Sequence, residues 1–158
     1  MKPLEENAQI RPMTAADVTR VMEIAASLPE APQWPEAAYL TALNPKSTPR
    51  RIALVAVAPR SENVLGFIAA SLIPPQAELE SIAVAPGNQR RGLGRLLFEA
   101  LVNHLRAASI FEIVLEVRAS NRAALAFYRS ASFRQTGLRR AYYVDPIEDA
   151  VLMRLHLT

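Results

Sequence analysis

The sequence predicts an α/β (α+β) protein in which a mixed sheet of about six to seven strands is flanked by four helices. One observation is the order of strand-like and helix-like apolar patterns, which reads β-α-α-β-β-β-α-β-α-β-β. Another is the central succession of strand, glycine loop, long helix and strand, which is typical of a βαβ unit. A length of 158 residues with 51% hydrophobic residues predicts that residues 1–158 form a single domain with its own core.

The N-terminal third predicts one edge strand and two helices. The segment AQIRPMT has the pattern of an edge strand that ends at Pro12, and Thr14 with Asp17 forms a capping-box pattern that opens a helix. The apolar residues of that helix recur at helical spacing, at Val18, Val21, Met22 and Ala25. Three prolines between residues 29 and 35 then interrupt the chain before a second short helix, which ends at about Leu43.

The middle of the chain predicts three antiparallel strands and the longest helix. RIALVAVAP and NVLGFIAASLI form a hairpin pattern around a polar turn at residues 60–62, and AELESIAVAP supplies the next strand. From residue 93 the apolar period changes to that of a helix. The residues predicted on its apolar face are Leu93, Leu96, Leu97, Ala100, Leu101, His104 and Leu105.

The C-terminal third predicts a strand, a helix and a closing pair of strands. FEIVLEV is the strand, and Ser120 is a candidate N-cap for a helix from about Asn121 to Ser130. Its inward residues are predicted to be Ala124, Phe127 and Tyr128. SFRQTGLRRAYYV and DAVLMRLHLT then form the closing pair, with His156 as a structural residue.

Composition excludes several classes of function. Eighteen basic against 15 acidic residues give a net charge of +3, which favours a small anionic ligand over extensive nucleic-acid binding. The absence of cysteine excludes disulfides, a thiolate nucleophile and cysteine-ligated metal, and two histidines make a metal site unexpected. With Glu5 and Glu6 near the start and no apolar run of ~20 residues, neither a signal peptide nor a membrane span is expected. These observations predict a cytoplasmic location.

The segment NQRRGLGRLL, residues 88–97, combines two glycines and three arginines at the start of the predicted long helix. A helix N-terminus presents unpaired N–H groups and a positive dipole end, so glycines there suit the approach of a pyrophosphate. No Gly-Lys-Ser/Thr follows, and Leu97 stands where a dinucleotide motif needs a third glycine. The alternative is a glycine-rich helix start whose arginines are merely solvated.

The same loop resembles the Gln/Arg-x-x-Gly-x-Gly/Ala motif of the GNAT superfamily of acyltransferases. LEVRASN (115–121), AFYRSASF (126–133), RRAYY (139–143) and EDAVLM (148–153) are similar to the bacterial ribosomal-protein-alanine N-acetyltransferases. The resemblance implies the GNAT fold, a mixed and mostly antiparallel sheet that splays between the cofactor-binding strand and the following parallel strand. It implies acetyl-CoA as co-substrate and no metal. The implied cofactor-binding residues are Ile82, Ala83, Val84, Arg90, Arg91, Gly92, Leu93, Gly94, Arg95 and Asn121.

The resemblance also implies the catalytic residues, with Glu116 as general base and Tyr128 as the acid that protonates the coenzyme A thiolate. The alternatives are a surface Glu116 paired with Arg118, a purely structural Tyr128, and Glu80 as the base. With no residue suited to covalent catalysis, the amine is expected to attack acetyl-CoA directly in a ternary complex.

Acceptor binding is expected at Tyr142 and Tyr143, of which only one should reach the peptide because strand residues alternate between faces. Trp34 is a candidate for the opposite wall, or else a packing anchor.

The first functional hypothesis is an N-alpha-acetyltransferase acting on the N-terminal alanine of a ribosomal protein. An α-amine with a pKa of ~7.7–8.0 is more readily deprotonated than lysine at ~10.4, which is consistent with it. A second hypothesis, motivated by the order Trp34-Pro35 where the family usually has Pro-Trp, is a GNAT enzyme for lysine side chains or small amines. A third is a nucleic-acid or ribosome-binding module that uses the arginines; stable nucleic-acid binding and membrane binding are not expected.

Overall fold

The computed structural model describes residues 8–158 of the chain. The expectation drawn from Glu5 and Glu6 therefore lies outside the described residues. Among residues 8–158, none of the helices has the length and apolar character needed to cross a membrane.

Seven strands of the described residues form one sheet in the order β1-β2-β3-β4-β5-β7-β6. Neighbouring strands are antiparallel except β4 and β5, which are parallel. This confirms the predicted mixed, mostly antiparallel sheet. The strands are β1 Gln9–Pro12, β2 Arg50–Val57, β3 Val64–Ile73, β4 Gln76–Val84, β5 Glu112–Arg118, β6 Arg134–Val144 and β7 Ile147–His156.

Four α-helices cover the two faces of this sheet. They are α1 Val18–Ala26, α2 Glu36–Leu43, α3 Leu93–Ala107 and α4 Arg122–Ser130. The apolar residues of α1 and α2 form one core cluster with Phe67 of β3, and those of α3 and α4 form a second cluster with Ile68. Consecutive residues of a strand point to opposite faces, so α1 and α2 lie on one side of the sheet and α3 and α4 on the other.

The predicted capping box at the start of α1 is present. The Thr14 backbone N–H donates to Asp17 Oδ2 at 2.8 Å, and a short 3-10 turn at Ala15–Asp17 precedes the helix. The Arg11 guanidinium donates to both Asp17 oxygens at 2.7 and 2.9 Å. These bonds, above all those from Arg11, lower the pKa of the buried Asp17 carboxyl.

Two predictions about the helices are wrong in detail. His104 is exposed, because the buried face of α3 extends from Leu93 and Leu97 towards Phe98 and Val102. The N-cap of α4 is Asn121 and not Ser120: the Asn121 side chain accepts a hydrogen bond from the Ala124 N–H at 3.1 Å. Ser120 instead donates its backbone N–H to Glu148 Oε2 at 2.6 Å.

The parallel strands β4 and β5 separate soon after they meet. Within residues 8–158 they pair at three positions, of which the last is Glu78 opposite Val114. Beyond this point β4 stays paired with β3, and β5 stays paired with β7. The carboxyl-terminal parts of β4 and β5 therefore face each other across a gap, as the predicted splayed centre requires.

A β-bulge in β4 lies at the entrance to this gap. On β3, Ala69 is opposite Ser81 while the next residue, Ala70, is opposite Leu79, so Glu80 is the extra residue. Leu79 packs in the cluster on the α3 side, and Glu80 pairs with Arg51 on the α1–α2 side. Because of the bulge, the adjacent residues Glu80 and Ser81 both lie on the α1–α2 side of the sheet.

Gly66 of β3 allows the end of β4 to pack closely. A Cβ added at this position would lie 2.8 Å from the Ala83 carbonyl oxygen and 3.3 Å from Val84 Cα, and both are backbone atoms. Gly66→Ala is therefore expected to lower the free energy of unfolding by about 1–3 kcal/mol, measured by urea denaturation. Gly87→Ala is the matched control, because a Cβ there meets no atom within 4 Å. Equal stabilities of the two variants would contradict the prediction.

Candidate active site

A cavity of about 1070 Å³ occupies the gap between the diverging strands. Its walls come from the ends of β4 and β5, the loop before α3, the start of α4 and residues 28–33, which connect α1 to α2. It contains most of the predicted site residues, namely Ile82, Ala83, Val84, Arg90, Gly92, Leu93, Gly94, Arg95, Glu116, Asn121, Tyr128 and Tyr143. Arg91, Trp34 and Tyr142 lie outside its lining.

The loop before α3 forms the end of the cavity at the helix N-terminus. Gly92 has φ +89°, in the left-handed region that favours glycine, and a Cβ there would meet no atom within 4 Å. Gly94 differs, because its Cβ would lie 3.3 Å from Phe127 Cε1. Gly92 therefore serves the backbone turn and leaves open space, whereas Gly94 allows α3 to pack on α4. Gly94 also lines the cavity, and that it serves the approach of a phosphate stays a prediction.

Two residues beside this loop also have structural roles, which limits the groups that they can offer to a ligand. The Leu93 side chain is buried in the core, so only its main chain is available to a ligand. Asn121 uses its amide oxygen to cap α4. Its amide nitrogen has no hydrogen bond to any described residue and remains available to a ligand.

Glu116 stands on β5 where the strands have separated. Its carboxylate lies 3.4 Å from Arg139 Nη1 of β6, and its proximity raises the pKa of the Tyr142 phenol. Pairing with Arg118 is not observed: Arg118 Nη1 lies 3.3 Å from Glu148 Oε1, and its guanidinium lies 4.1 Å from the centre of the Tyr143 ring. Glu116 is therefore a partly buried carboxylate held from one side and open to the cavity.

Glu80, the alternative base, is held by a nearby arginine. Arg51 Nε and Nη2 lie 2.9 and 3.3 Å from the two carboxylate oxygens of Glu80. Arg51 thus binds both oxygens of Glu80, whereas the carboxylate of Glu116 has one side open to the cavity. Burial, together with the charges of Glu80 and Glu116, raises the pKa of the neighbouring Glu78.

Tyr128 lies on α4 at the inner end of the cavity. Its side chain is 9% exposed, and its ring packs against Phe127 and Phe133 at centroid distances of 5.6 and 5.5 Å. Burial, and to a lesser extent Tyr143, raises the pKa of the Tyr128 phenol above its usual value. The phenol is therefore protonated at neutral pH and has a proton to donate.

Tyr142 and Tyr143 lie together beside the cavity, and only Tyr143 forms part of its lining; that only one of them reaches the acceptor stays a prediction. The register between β6 and β7 shifts between Arg139 and Tyr143, and Ala141 has φ 49°. This irregularity interrupts the alternation and brings the two rings to 5.1 Å. Tyr143 lines the cavity, while Tyr142 contacts Glu116 from outside it.

The opposite wall is built by residues that the sequence analysis did not select. Trp34 packs against Tyr39 at 5.1 Å and lies beneath Arg51, in the core on the α1–α2 side. Residues 28–33 line the cavity instead. The sequence feature that could have identified these residues is the proline cluster, since prolines hold a segment between two helices in an extended form. No group of three or more His, Asp or Glu within residues 8–158 is arranged to hold a metal ion.

Comparison with known proteins identifies the family of this chain. Residues 18–133 match the model of the Acetyltransferase (GNAT) family. The chain belongs to this family. As a GNAT protein it is an acyltransferase, and acetyl-CoA is its acyl donor.

Similar GNAT proteins include ribosomal-protein acetyltransferases. The chain is 43% identical over 94 residues to the [ribosomal protein bS18]-alanine N-acetyltransferase of Escherichia coli K12, covering 58% of this chain and 64% of that protein. It is 37% identical over 155 residues to the N-alpha-acetyltransferase RimI of Mycobacterium tuberculosis, covering 94% and 92%. The crystal structure of the ribosomal-protein-S18-alanine N-acetyltransferase from Escherichia coli superposes with a TM-score of 0.80 at 30% identity, covering 96% and 94%.

Proposed function

We propose that this protein transfers the acetyl group of acetyl-CoA to the N-terminal α-amine of alanine in ribosomal protein bS18. The observation that supports it most is the 37–43% identity to enzymes named for N-alpha-acetylation, two of which are described above. The placement of Glu116 and Tyr128 around one cavity supports the chemistry. The proposal includes action of residues 1–158 as one domain, a cytoplasmic location and no stable association with membranes or nucleic acid.

In this proposal main-chain groups hold the donor. The edge of β4 at residues 82–84 has lost its β5 neighbour, so its backbone groups suit the amides of the pantetheine arm. The N–H groups between Arg90 and Arg95, at the positive end of the α3 dipole, suit the pyrophosphate. The free amide nitrogen of Asn121 is the side-chain group that contacts the donor.

The reaction needs a neutral amine and a proton for the leaving thiolate. Glu116 accepts a proton from the acceptor ammonium, directly or through water, and Arg139 holds its carboxylate from one side. The neutral amine nitrogen then bonds to the thioester carbonyl carbon, and the carbon–sulfur bond breaks as the intermediate collapses. The nitrogen releases its second proton to solvent, and Glu116 returns the first proton to solvent. Tyr128 donates its phenolic proton to the departing sulfur and is reprotonated from solvent.

The acceptor enters from the α1–α2 side. Residues 28–33 form one wall and Tyr143 lies in the other, with the Tyr142 ring 5.1 Å from it. Since consecutive residues of β5 alternate and Leu115 packs towards α3, Glu116 faces this same side. An N-terminal residue inserted between the two walls therefore brings its α-amine towards Glu116.

The proposed function is tested by competition between acceptors. The protein is incubated with acetyl-CoA and equal amounts of a bS18 N-terminal peptide, starting with alanine, and an N-blocked lysine peptide. Mass spectrometry is expected to find the acetyl group on the alanine α-amine, and calorimetry to find binding of acetyl-CoA. Faster modification of the blocked lysine peptide would indicate the lysine-directed alternative. Salt-sensitive RNA binding without acetyl-CoA affinity would instead support the nucleic-acid module.

A further inference from the structure

Ser81 carries a buried hydroxyl with no function in the fold. The residue is 6% exposed, and its Oγ has no hydrogen-bond partner among the described residues. Buried side-chain hydroxyls nearly always have a partner, because an unpaired polar group in the interior is destabilising. Ser81 also lines the large cavity. The hydroxyl therefore lies beside the cavity and is unpaired within residues 8–158.

The β-bulge determines which part of the cavity this hydroxyl meets. By placing Ser81 on the α1–α2 side, next to Glu80, the bulge directs it to the face that carries Glu116. Glu80 does not serve as its partner, since both Glu80 oxygens are engaged by Arg51. Across the cavity stand residues 28–33, the wall assigned to the acceptor.

The acyl donor is a less suitable hydrogen-bond partner for this hydroxyl than the acceptor. The side chains of Ile82 and Val84 pack against the cluster on the α3 side, opposite to Ser81. In the proposed complex the donor lies along the main chain of this segment and needs no side chain. The N-terminal residue of an acceptor, by contrast, brings two hydrogen-bonding groups into the space before Ser81, the α-amine and the first peptide carbonyl.

We propose that the Ser81 hydroxyl hydrogen-bonds the N-terminal residue of the acceptor and orients its amine for attack. The inference rests on the proposed function and adds a positioning residue to it. The hydroxyl is unpaired in the free protein because its partner arrives with the acceptor.

Ser81→Ala is the test, with Ser81→Thr as the variant that retains the hydroxyl. In the free protein, Ser81→Ala is expected to be at least as stable as wild type in urea denaturation, because it removes an unsatisfied buried group. Its Kd for acetyl-CoA is expected to stay within about two-fold. Its Kd for the alanine-first bS18 peptide, measured by calorimetry with CoA present, is expected to rise about three- to thirty-fold. Ser81→Thr is expected to restore most of this affinity.

The outcomes separate the inference from the function on which it rests. Loss of stability in Ser81→Ala would assign the hydroxyl to the fold and overturn the inference. Unchanged peptide affinity, or a weakening confined to acetyl-CoA, would overturn it as well while leaving the proposed function intact. A wild-type protein that binds no alanine-first peptide would overturn both.

Discussion

Glu116→Gln is expected to lower kcat for acetylation of the alanine-first peptide by about a hundred- to ten-thousand-fold, the usual contribution of a positioned general base. Glutamine has nearly the same shape as glutamate but cannot accept the proton. Because the donor-binding main chain is untouched, the Kd for acetyl-CoA is expected to stay within about two-fold. The residual activity should rise about tenfold per pH unit below the pKa of the peptide amine at ~8, since only the amine that is already neutral can react.

Glu80→Gln is the matched control for this variant. Glu80 lines the same cavity, and its substitution weakens the ion pair with Arg51 at 2.9 Å. If Glu116 is the base, Glu80→Gln should change kcat by less than about tenfold. A large loss of kcat in Glu80→Gln with a small loss in Glu116→Gln would transfer the role of base to Glu80. Steady-state kinetics over pH 6–9 measures both variants.

Tyr128→Phe is expected to lower kcat by about a hundred-fold or more, because it removes the proton offered to the leaving thiolate. The aromatic packing with Phe127 and Phe133 is retained by phenylalanine. The free energy of unfolding is therefore expected to change by less than about 1 kcal/mol. The decisive measurement is single-turnover kinetics together with urea denaturation of the same preparation.

Tyr143→Phe is the control for Tyr128→Phe. Tyr143 lines the same cavity, and burial raises the pKa of its phenol as well. As a proposed acceptor contact it should affect KM more than kcat. A Tyr128→Phe enzyme with wild-type kcat would remove Tyr128 from the reaction and leave it a core aromatic residue.

The features that sequence reasoning predicted correctly are those encoded by local patterns. The spacing of apolar residues located α1, α3 and the strands, the prolines and a cap residue located α2 and α4, and the Thr14–Asp17 pattern located the capping box. The glycine loop preceded α3 as predicted. Each of these signals depends on residues a few positions apart, and such spacing is visible in one sequence.

The features that escaped prediction depend on register between distant strands. Arg51 and Glu80 are 29 positions apart, and their ion pair exists because β2, β3 and β4 align in one particular register. The bulge at Glu80 changes which face the adjacent side chains occupy, and strict alternation along β4 cannot anticipate such an insertion. The exposure of His104 was not predicted for a related reason. The packing of α3 on the sheet determines which edge of its apolar face is buried.

Because β4 separates from β5, main-chain groups make the proposed contacts to the acyl donor, whereas side chains make those to the acceptor. Every amino acid carries the same backbone N–H and C=O groups, proline excepted, so substitutions along residues 82–84 leave the proposed donor contacts in place. The proposed acceptor contacts, in contrast, are side chains such as those of Ser81, Glu116 and Tyr143. In such a fold, a few side-chain substitutions around the acceptor opening can change the amine substrate while binding of the acyl donor is retained.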